Sequence, residues 1–434
     1  MNTSEIRPKQ GHQDALLNIL NLPGWHNLDV QEYDHLYNIT VEMVTRASIC
    51  PVCEASVQQF GTRSRTFFDL PIHGKQVRLV ARRRRYRCKN TEQKHTFLDP
   101  LIDMDEHHAA TLRFIRYIEH HALMFDRSFS GLARDLGVSE NFIRKVVMES
   151  LPHLEQAYVL TAPTALGMDE INVERMRAVL TDLDNRHLLD ILETRDAESV
   201  KAWLLRLPER ERIQVVVMDM WRPYKQVVQE ILPTARIVVD KFHILRLVNG
   251  VVENVRKATR EALPPAQRKM LKHDRKLLLK REKDLTEHQR LIVESWTGIA
   301  PLLHDTYVLK EEFFSIWNAM SEQDALNRYV QWQSHIPPAL QESFLSLQLT
   351  METWGQEIFA YFTLPQAFTN AYTESNNRAI RDAHRLGRGY SFRVLRAKLL
   401  FGKRPLQPRV KHARQETEEE YSTENMMQEK RETN

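Results

Sequence analysis

Five carboxylate side chains lie where the sequence predicts that strands end or a helix begins. Asp169 and Glu170 fall on or near a strand in ALGMDEINVE, and Asp219 ends the apolar run IQVVVMD. Asp240 follows the run ARIVV, and Glu374 opens a helical pattern in AYTESNNRAIRDAHR. Carboxylates held together repel one another unless a cation lies between them, and such oxygen ligands suit Mg²⁺ or Mn²⁺. A pair of these ions could activate a hydroxyl and stabilise the leaving oxygen in phosphodiester transfer.

Spacing alone does not choose among these carboxylates. An aspartate after a strand is often a turn or a helix cap, and Glu374 could be an acid that the helix dipole favours in the first turn. His243 follows Asp240 in the sequence DKFH and could serve the same site. Arg378 and Arg381 follow Glu374 at helical spacing, where they could grip phosphates or form a solvated face.

The elements around Asp169 and Asp219 predict how these two residues meet. VERMRAVLTDLD and HLLDILET read as adjacent strands, 196–207 as a helix capped by Asp196, and IQVVVM as a buried strand. Three strands followed by helix–strand–helix–strand predict an α/β sheet covered by helices. If the fourth strand returns beside the first, as in a ribonuclease-H-like sheet, the two aspartates face each other. Trp221 follows closely and is expected to pack in the core rather than stack on a distorted DNA end.

The cysteines indicate a possible structural metal site. Cys50-Pro-Val-Cys53 has the spacing of a zinc knuckle, in which both thiolates reach one tetrahedral ion, and Cys88 follows 35 residues later. A fourth ligand is needed to close such a site, and His95 is the nearest candidate, with His73 as another. The alternative is a metal-free β-rich module whose three thiols are buried or idle.

A run of arginines lies on the predicted strand that enters Cys88. Four consecutive arginines are often a solvated face, but alternation with Tyr86 and the neighbouring zinc motif favour phosphate contacts. The candidate DNA-binding residues here are Arg82, Arg83, Arg84, Arg85 and Arg87.

A second candidate DNA-binding element is the segment SFSGLARDLGVSENFIRKVV. Ala133 at a helix contact, Gly137 in the turn and Ser139 as the cap of a second helix are typical of a helix-turn-helix. The alternative is an ordinary helical hairpin. The residues that would point outward from the second helix, toward base edges, include Asn141, Arg144 and Lys145.

Composition limits the broad class of protein. The chain has 434 residues, 61 basic and 57 acidic side chains, and 36 aromatic residues, which is typical of a globular protein with several domains. Three cysteines cannot form a disulfide framework, so a reducing, intracellular compartment is expected. The sequence shows neither a run of 18 apolar residues nor the pattern of a signal peptide, so no membrane association is expected.

From Cys50 to about Phe401 the chain resembles bacterial insertion-sequence transposases of the ISL3 group, which have a DDE catalytic domain. The resemblance rests on six motifs in order: CPVC with LPIHGKQVRLVARRRRYRC, the helix-turn-helix, GMDE, VVVMDMWRPY, VDKFHI, and TESNNRAIR followed by GRGYSFRVLRAKLLFG. It implies a ribonuclease-H-like core that uses Mg²⁺ or Mn²⁺ to cut and join element ends. It maps the acidic triad onto Asp169, Asp219 and Glu374, with Asp240 and His243 in support.

The resemblance also implies partners and a setting. A DNA transposase binds terminal inverted repeats and target DNA, acts as a homo-oligomer on DNA, and works in the bacterial cytoplasm at the nucleoid. The alternatives are a catalytically inactive DNA-binding regulator derived from a transposase, and a metal nuclease that cuts without joining. One departure concerns zinc: the family usually has a fourth cysteine shortly after the one at Cys88, whereas this chain has KNTEQKHTF. Either His95 replaces that cysteine, or the module folds without zinc.

The predicted fold class is therefore α/β, with a DDE core preceded by two small DNA-binding modules. The predicted parts are a helical N-terminal segment (1–47), a zinc-ribbon-like module (48–100), a helix-turn-helix domain (104–155), a catalytic domain (160–401) with a helical insertion at about 245–365, and a polar, disordered tail (404–434).

Overall fold

The computed structural model describes residues 20–90, 95–364 and 370–402. They form two compact units. The N-terminal unit contains the described residues up to Gln156 together with Phe401 and Gly402, and the C-terminal unit runs from Ala157 to Leu400. Within the described ranges, no helix combines the length and the apolar character needed to cross a membrane. The predicted disordered tail lies outside the described residues.

The N-terminal unit is built on a sheet with a long central hairpin. Its strands are β1 (Trp25–Glu32), β2 (Leu36–Met43), β3 (Val57–Ile72), β4 (Lys75–Cys88), β5 (Thr96–Leu98), β6 (Met104–Asp105) and β7 (Ala110–Thr111). The order is β1-β2-β4-β3-β7-β6, and β5 pairs with β4. β3 and β4 are antiparallel and turn at His73-Gly74, where both residues have positive φ.

The predicted helical segment at 1–47 is wrong for its described part, because residues 25–43 form two paired strands. The reason is visible in LYNITVEM, where Ile39, Val41 and Met43 alternate with more exposed residues. That period of two favours a strand with one face in the core. The apolar piece around Ala15 to Leu22, on which the helix was predicted, lies mostly outside the described residues.

Three helices complete this unit: α1 (Leu112–Ala122), α2 (Phe129–Leu136) and α3 (Glu140–Ala157). α2 ends at Gly137, which has φ of 66°. This left-handed conformation favours glycine, and a Cβ there would also require the end of the Gln76 side chain to move. Ser139 Oγ accepts a hydrogen bond from the Phe142 N–H, at 3.1 Å, as predicted for the cap of the second helix. The turn and cap therefore confirm two features of the helix-turn-helix prediction.

The C-terminal unit contains a mixed sheet of order β10-β9-β8-β11-β12. These strands are β8 (Ala165–Val173), β9 (Arg175–Asp182), β10 (His187–Ile191), β11 (Val215–Met218) and β12 (Arg236–Val239). The first three form an antiparallel meander, whereas β11 pairs in parallel with both β8 and β12. The expectation that the fourth strand of this domain returns beside the first is confirmed.

Helices cover the sheet and form the long region after β12. They are α4 (Ala197–Arg206), α5 (Arg222–Ile231), α6 (Lys241–Ala262), α7 (Pro265–His273), α8 (Arg275–Leu279), α9 (Glu287–Ile299), α10 (Pro301–Ser315), α11 (Glu322–Ser334), α12 (Gln341–Phe359), α13 (Ala371–Gly387) and α14 (Phe392–Phe401). Residues 241–364 contain helices and turns without a strand, as predicted for the insertion. One apolar core joins strands of the sheet to helices of this region.

Candidate active site

Asp169 lies within β8 and is almost fully buried, with 6% of its surface exposed. Its Oδ1 accepts a hydrogen bond from the Glu170 N–H at 2.7 Å, and its Oδ2 accepts one from Asn377 Nδ2 at 2.6 Å. Burial, followed by the charge of Asp219, raises the pKa of Asp169 to about 7, and Glu374 adds to this effect. The carboxylates of the predicted triad therefore influence one another electrostatically in the folded chain.

Helix α13 carries Glu374 and docks against β8. Asn370, just before the helix, donates from Nδ2 to the Met168 carbonyl at 3.0 Å, and Thr373 Oγ1 lies 2.7 Å from Thr181 Oγ1. A Cβ on Gly167 would come within 2.4 Å of Thr181 and 2.8 Å of Thr373, so glycine permits this close approach. The glycine of GMDE and the polar residues of TESNN thus bring the helix to the strand that bears Asp169.

Glu374 lies in the first turn of α13, and its backbone N–H donates to the Asn370 carbonyl. Its side chain is 43% exposed, and its Oε1 lies 3.7 Å from Arg246 Nη2 on α6. Arg378 and Arg381 are exposed on the same helix, one and two turns further on. Both arginines therefore lie on a face that solvent reaches, which agrees with a solvated face as well as with phosphate contacts.

Asp219 follows β11 directly and approaches His243 on α6. His243 Nδ1 lies 2.8 Å from Asp219 Oδ1 and 3.8 Å from Asp240 Oδ2. Burial opposes the charged form of His243, but the adjacent Asp219 outweighs it, so the pKa of His243 is raised. Asp240 caps α6 by accepting from the Phe242 N–H, and burial raises its pKa to about 6. Asp240 is therefore a helix cap, as the alternative interpretation of an aspartate after a strand proposed, and it lies beside the predicted site.

The residues present fit divalent cations. Asp169, Asp219 and Glu374 offer carboxylate oxygens, which are the ligands that Mg²⁺ and Mn²⁺ prefer, and Asp240 Oδ2 beside them is buried without a hydrogen-bond partner. Asp169, Asp219 and Glu374 would supply the ligands. Among the described residues, two groups of three side chains have ligand atoms that all lie within 4.8 Å of one another, and neither contains the triad. The three carboxylates are therefore further apart than the ligands of a closed metal site.

Several neighbours of the acidic residues escaped the sequence analysis. Arg195 forms an ion pair with Glu170 and also stacks over the Trp221 ring, 4.5 Å from its centroid. Trp221 is 36% exposed, so the expectation that it packs in the core is wrong. Asn377 was missed as well, although it lies three residues after Glu374, within one helical turn. No sequence pattern indicated Arg195, because it follows β10 and comes close to Glu170 and Trp221 only when the strands pair in the sheet.

The three cysteines converge in the N-terminal unit. Their sulfur atoms lie within 4.8 Å of one another, and Cys53 Sγ is 3.3 Å from Cys88 Sγ. His95 Nδ1, the predicted fourth ligand, lies 3.7 Å from Cys50 Sγ but outside the group of three sulfur atoms that are all within 4.8 Å of one another. Hydrogen bonds from the backbone at Val52 lower the pKa of Cys50 to about 6, which favours the thiolate that a metal binds. Three sulfurs and one imidazole nitrogen are a donor set that suits tetrahedral Zn²⁺.

Comparison with known proteins identifies the family. A family model of ISL3-type DDE transposases matches residues 166–399, more than half of the chain. The chain belongs to the ISL3 family of insertion-sequence transposases. A zinc-finger model of the transposases of IS204, IS1001, IS1096 and IS1165 matches residues 46–90. The transposase for insertion sequence element IS1001 of Bordetella parapertussis is 24% identical over 312 residues, which cover 68% of this chain and 76% of that protein.

The zinc-finger match in this transposase ends before His95, so the match does not include the fourth ligand that the sequence predicted. The match includes Cys50, Cys53 and Cys88, whose clustering agrees with a zinc ribbon. His73 occupies the β3–β4 turn, outside the cysteine group.

One residue of the arginine run must be removed from the predicted DNA contacts of the transposase. Arg84 is 2% exposed, pairs with buried Asp99 at 2.8 Å, and donates to the carbonyls of Met43 and Thr45. Because β4 alternates, Arg84 and Tyr86 lie on the face opposite to Val77, Leu79 and Ala81, and Arg84 is buried there by Asp99 and the backbone at Met43 and Thr45. Arg82, Arg85 and Arg87 are exposed, whereas Arg83 is partly buried and donates to Glu106 and to the Asp99 carbonyl.

Replacing Arg84 by methionine is expected to lower the free energy of unfolding of the N-terminal unit by about 3–5 kcal/mol, because Asp99 would keep a buried, unpaired charge. Arg85→Met is the control on the same strand, since Arg85 is exposed and its guanidinium lies over Phe60. Denaturant unfolding followed by circular dichroism measures both variants. Equal stability of the two would contradict a structural role for Arg84.

Two of the three residues predicted to point outward from α3 are exposed. Asn141 and Lys145 are exposed, and Arg144 is half-buried with its Nη2 2.8 Å from Glu140 Oε1. Ile143, Val146 and Val147 face the core. Phe142 on α3 packs against Phe68 of β3, with ring centroids 5.5 Å apart. The helix therefore presents a polar face while its other face is anchored to the sheet.

Metal-free transposase is expected to lose stability as the pH rises from about 4 to about 7. The pKa of Asp169 is raised from its ordinary value of 3.8 to about 7. In that interval the unfolded chain has released a proton that the folded chain keeps, so the stabilisation is complete below about 4 and is lost as the pH passes about 7. Calorimetry with a chelator should show the fall in Tm, which Asp169→Asn should reduce. An identical pH dependence in the variant would assign the effect to other groups.

Proposed function

We propose that this transposase cuts and joins DNA at the ends of its insertion sequence, through a ribonuclease-H-like DDE core. The observation that carries the proposal is the arrangement of the three acidic residues. β8 and β11 are adjacent parallel strands that bear Asp169 and precede Asp219, and α13, which carries Glu374, docks against β8. The strand order, an antiparallel meander followed by two parallel strands, supports the ribonuclease-H-like assignment.

Asp169, Asp219 and Glu374 would hold divalent cations, which supply charge stabilisation for the transferred phosphate when they are bound. The polypeptide positions these ligands. Asn377 donates to Asp169, so one carboxylate oxygen keeps a fixed direction, and His243 approaches Asp219 in the same way. Arg246, Arg378 and Arg381 lie on the exposed side of Glu374, where they are suited to bind DNA phosphates.

The chemistry consists of two displacements at phosphorus. Water attacks a phosphodiester at the element end, the bond to the 3′-oxygen breaks, and a free 3′-hydroxyl results. That hydroxyl then attacks a phosphodiester of the target DNA, forming one ester bond while another breaks. Neither step requires a covalent bond to the protein.

The N-terminal unit would recognise the terminal inverted repeats. The exposed arginines of β4 lie beside the cysteine cluster, with the guanidinium groups of Arg85 and Arg87 4.7 and 4.6 Å from the centre of the Phe60 ring. With α3, they give the unit two basic elements that can contact a duplex. We further propose that the transposase acts in the bacterial cytoplasm at the nucleoid. It would act as a homo-oligomer on DNA, because the two element ends must be held in one complex.

The test is cleavage of a labelled duplex that carries the element end and its flank, with Mg²⁺ or Mn²⁺, by the wild type and by Asp219→Ala. We expect metal-dependent nicking at the boundary, lost in the variant, and strand-transfer products when a plasmid target is added. Binding without nicking by the wild type would instead favour an inactive regulator. Nicking without strand transfer would favour a nuclease.

A further inference from the structure

We propose that His107, His108 and Glu149 of the N-terminal unit form a second transition-metal site, suited to Zn²⁺, separate from the cysteine cluster and the acidic triad. The two histidines lie in the turn between β6 and β7, and Glu149 lies on α3. One ligand atom from each lies within 4.8 Å of the other two. Two imidazoles and one carboxylate are a common set of protein ligands for zinc, with water in the fourth position.

Each of the two imidazole rings directs its Nε2 at the carboxylate of Glu149. His107 Nε2 lies 3.2 Å from Glu149 Oε1, and His108 Nε2 lies 2.9 Å from Glu149 Oε2. The two rings meet edge to face, with centroids 4.7 Å apart. Ligand atoms about 2.0–2.1 Å from a tetrahedral zinc ion are roughly 3.4 Å apart, so a small adjustment would admit the ion.

His108 gives an independent reason to expect a cation. Its side chain is only 7% exposed, and its Nδ1 lies 3.1 Å from Asp105 Oδ2. A proton on Nδ1, held by Asp105, leaves a lone pair on Nε2, which is the usual state of a metal-binding histidine. That nitrogen is buried and faces Glu149 Oε2 at 2.9 Å. In this tautomer the two atoms repel each other unless a cation lies between them, whereas a second proton on the ring would make the contact an ion pair, which is the alternative that the experiment tests.

The position of the site suggests what the ion would do. β7 pairs with β3 at Phe68 and Ala110, so the β6–β7 turn belongs to the sheet, whereas Glu149 belongs to the second helix of the helix-turn-helix. Phe142 already packs against both Phe68 and His108. A bound ion would add a cross-link beside this contact and would fix the direction of α3 relative to the sheet.

The open side of the site sets its expected affinity. The side chains of His107 and Glu149 are 64% and 44% exposed, so water can complete the coordination. Lys145 Nζ lies 3.9 Å from Glu149 Oε1 and competes with an ion for this carboxylate. Removal of Lys145 is therefore expected to strengthen metal binding, whereas removal of either histidine should weaken it.

The experiment counts zinc in full-length protein that has been loaded with Zn²⁺ in excess Mg²⁺, which occupies the acidic triad, and then dialysed. We expect His107→Ala to hold one zinc ion fewer per chain than the wild type. His153→Ala is the matched control, because His153 is exposed on α3 one turn after Glu149 and lies outside the ligand group. Zn²⁺ should also raise the Tm of the wild type and of His153→Ala more than that of His107→Ala.

Cobalt substitution separates this site from the cysteine cluster. With Co²⁺, the thiolate charge-transfer band should persist in His107→Ala and disappear in Cys53→Ser. Glu149→Gln provides a second variant with the same expected loss of one ion. Equal zinc content and equal Tm shifts in the wild type, His107→Ala and Glu149→Gln would overturn the proposal and leave a network of ion pairs. These readouts do not depend on DNA binding or cleavage.

Discussion

Glu374→Gln is expected to lower the rate of metal-dependent cleavage at the element end by at least about a thousandfold, while end binding changes by less than about twofold. Glutamine keeps the size and polarity of the side chain but removes the charge that would help to hold a divalent cation. Glu374 is 43% exposed and contributes little to the core, so the variant should fold normally. The measurement is single-turnover cleavage of a labelled duplex, with binding measured on the same duplex by gel shift.

Asp382→Asn is the matched control for Glu374→Gln, because it removes a carboxylate from the exposed face of the same helix, two turns further on. It should cleave at the wild-type rate. A third variant, Asn377→Leu, should lose activity by about 10–100-fold, because it frees the Asp169 carboxylate without removing a ligand. If Glu374→Gln cleaves as fast as Asp382→Asn, Glu374 is a first-turn acid of α13 and the triad is wrongly assigned.

The second large effect is expected at the cysteine cluster. Cys53→Ser should abolish zinc binding by the cluster and weaken binding to the element end by at least about tenfold, because a structural zinc site supplies part of the free energy of folding. Serine is not deprotonated near neutral pH and does not replace the thiolate. The measurements are zinc content by mass spectrometry and end binding by fluorescence anisotropy at fixed salt, since phosphate contacts make the affinity salt-dependent.

Two substitutions at one position test whether His95 is the fourth ligand. His95→Ala should lose zinc as Cys53→Ser does, whereas His95→Cys should retain it, because a fourth thiolate also completes a tetrahedral site. His95 lies 3.7 Å from Cys50 Sγ, so its removal should act directly on the cluster. Retention of zinc by His95→Ala would show that another group, or water, closes the site.

The order of the elements in the C-terminal unit could be predicted from the sequence. Runs such as IQVVVM are short, apolar and rich in β-branched residues, and Asp196 and Pro223 mark where helices begin. The structure confirms strands at Val215–Met218 and Arg236–Val239, and Asp196 caps α4. These features were predictable because they depend on local periodicity and on capping groups that act within one turn.

The N-terminal sheet shows where such reasoning failed. β1 escaped prediction because WHNLDVQE alternates weakly, and β2 was missed although LYNITVEM alternates, since its partner β4 lies more than 30 residues further on. Arg84 was wrongly counted with the exposed arginines for a related reason. Its burial depends on Asp99 and on the carbonyls of Met43 and Thr45, which approach only after the sheet has formed.

By itself, the sequence determined the family, the candidate acidic residues and three of the four proposed zinc ligands, because each depends on residue types at short spacing. Only the tertiary structure could select the groups that orient them. Asn377 meets Asp169 across 208 positions, Arg195 meets Trp221 beside the site, and Glu149 meets two histidines more than 40 residues earlier. Contacts between distant segments are decided by which faces pack together, because burial of the sheet and helices, rather than the local pattern, brings such side chains within reach of one another.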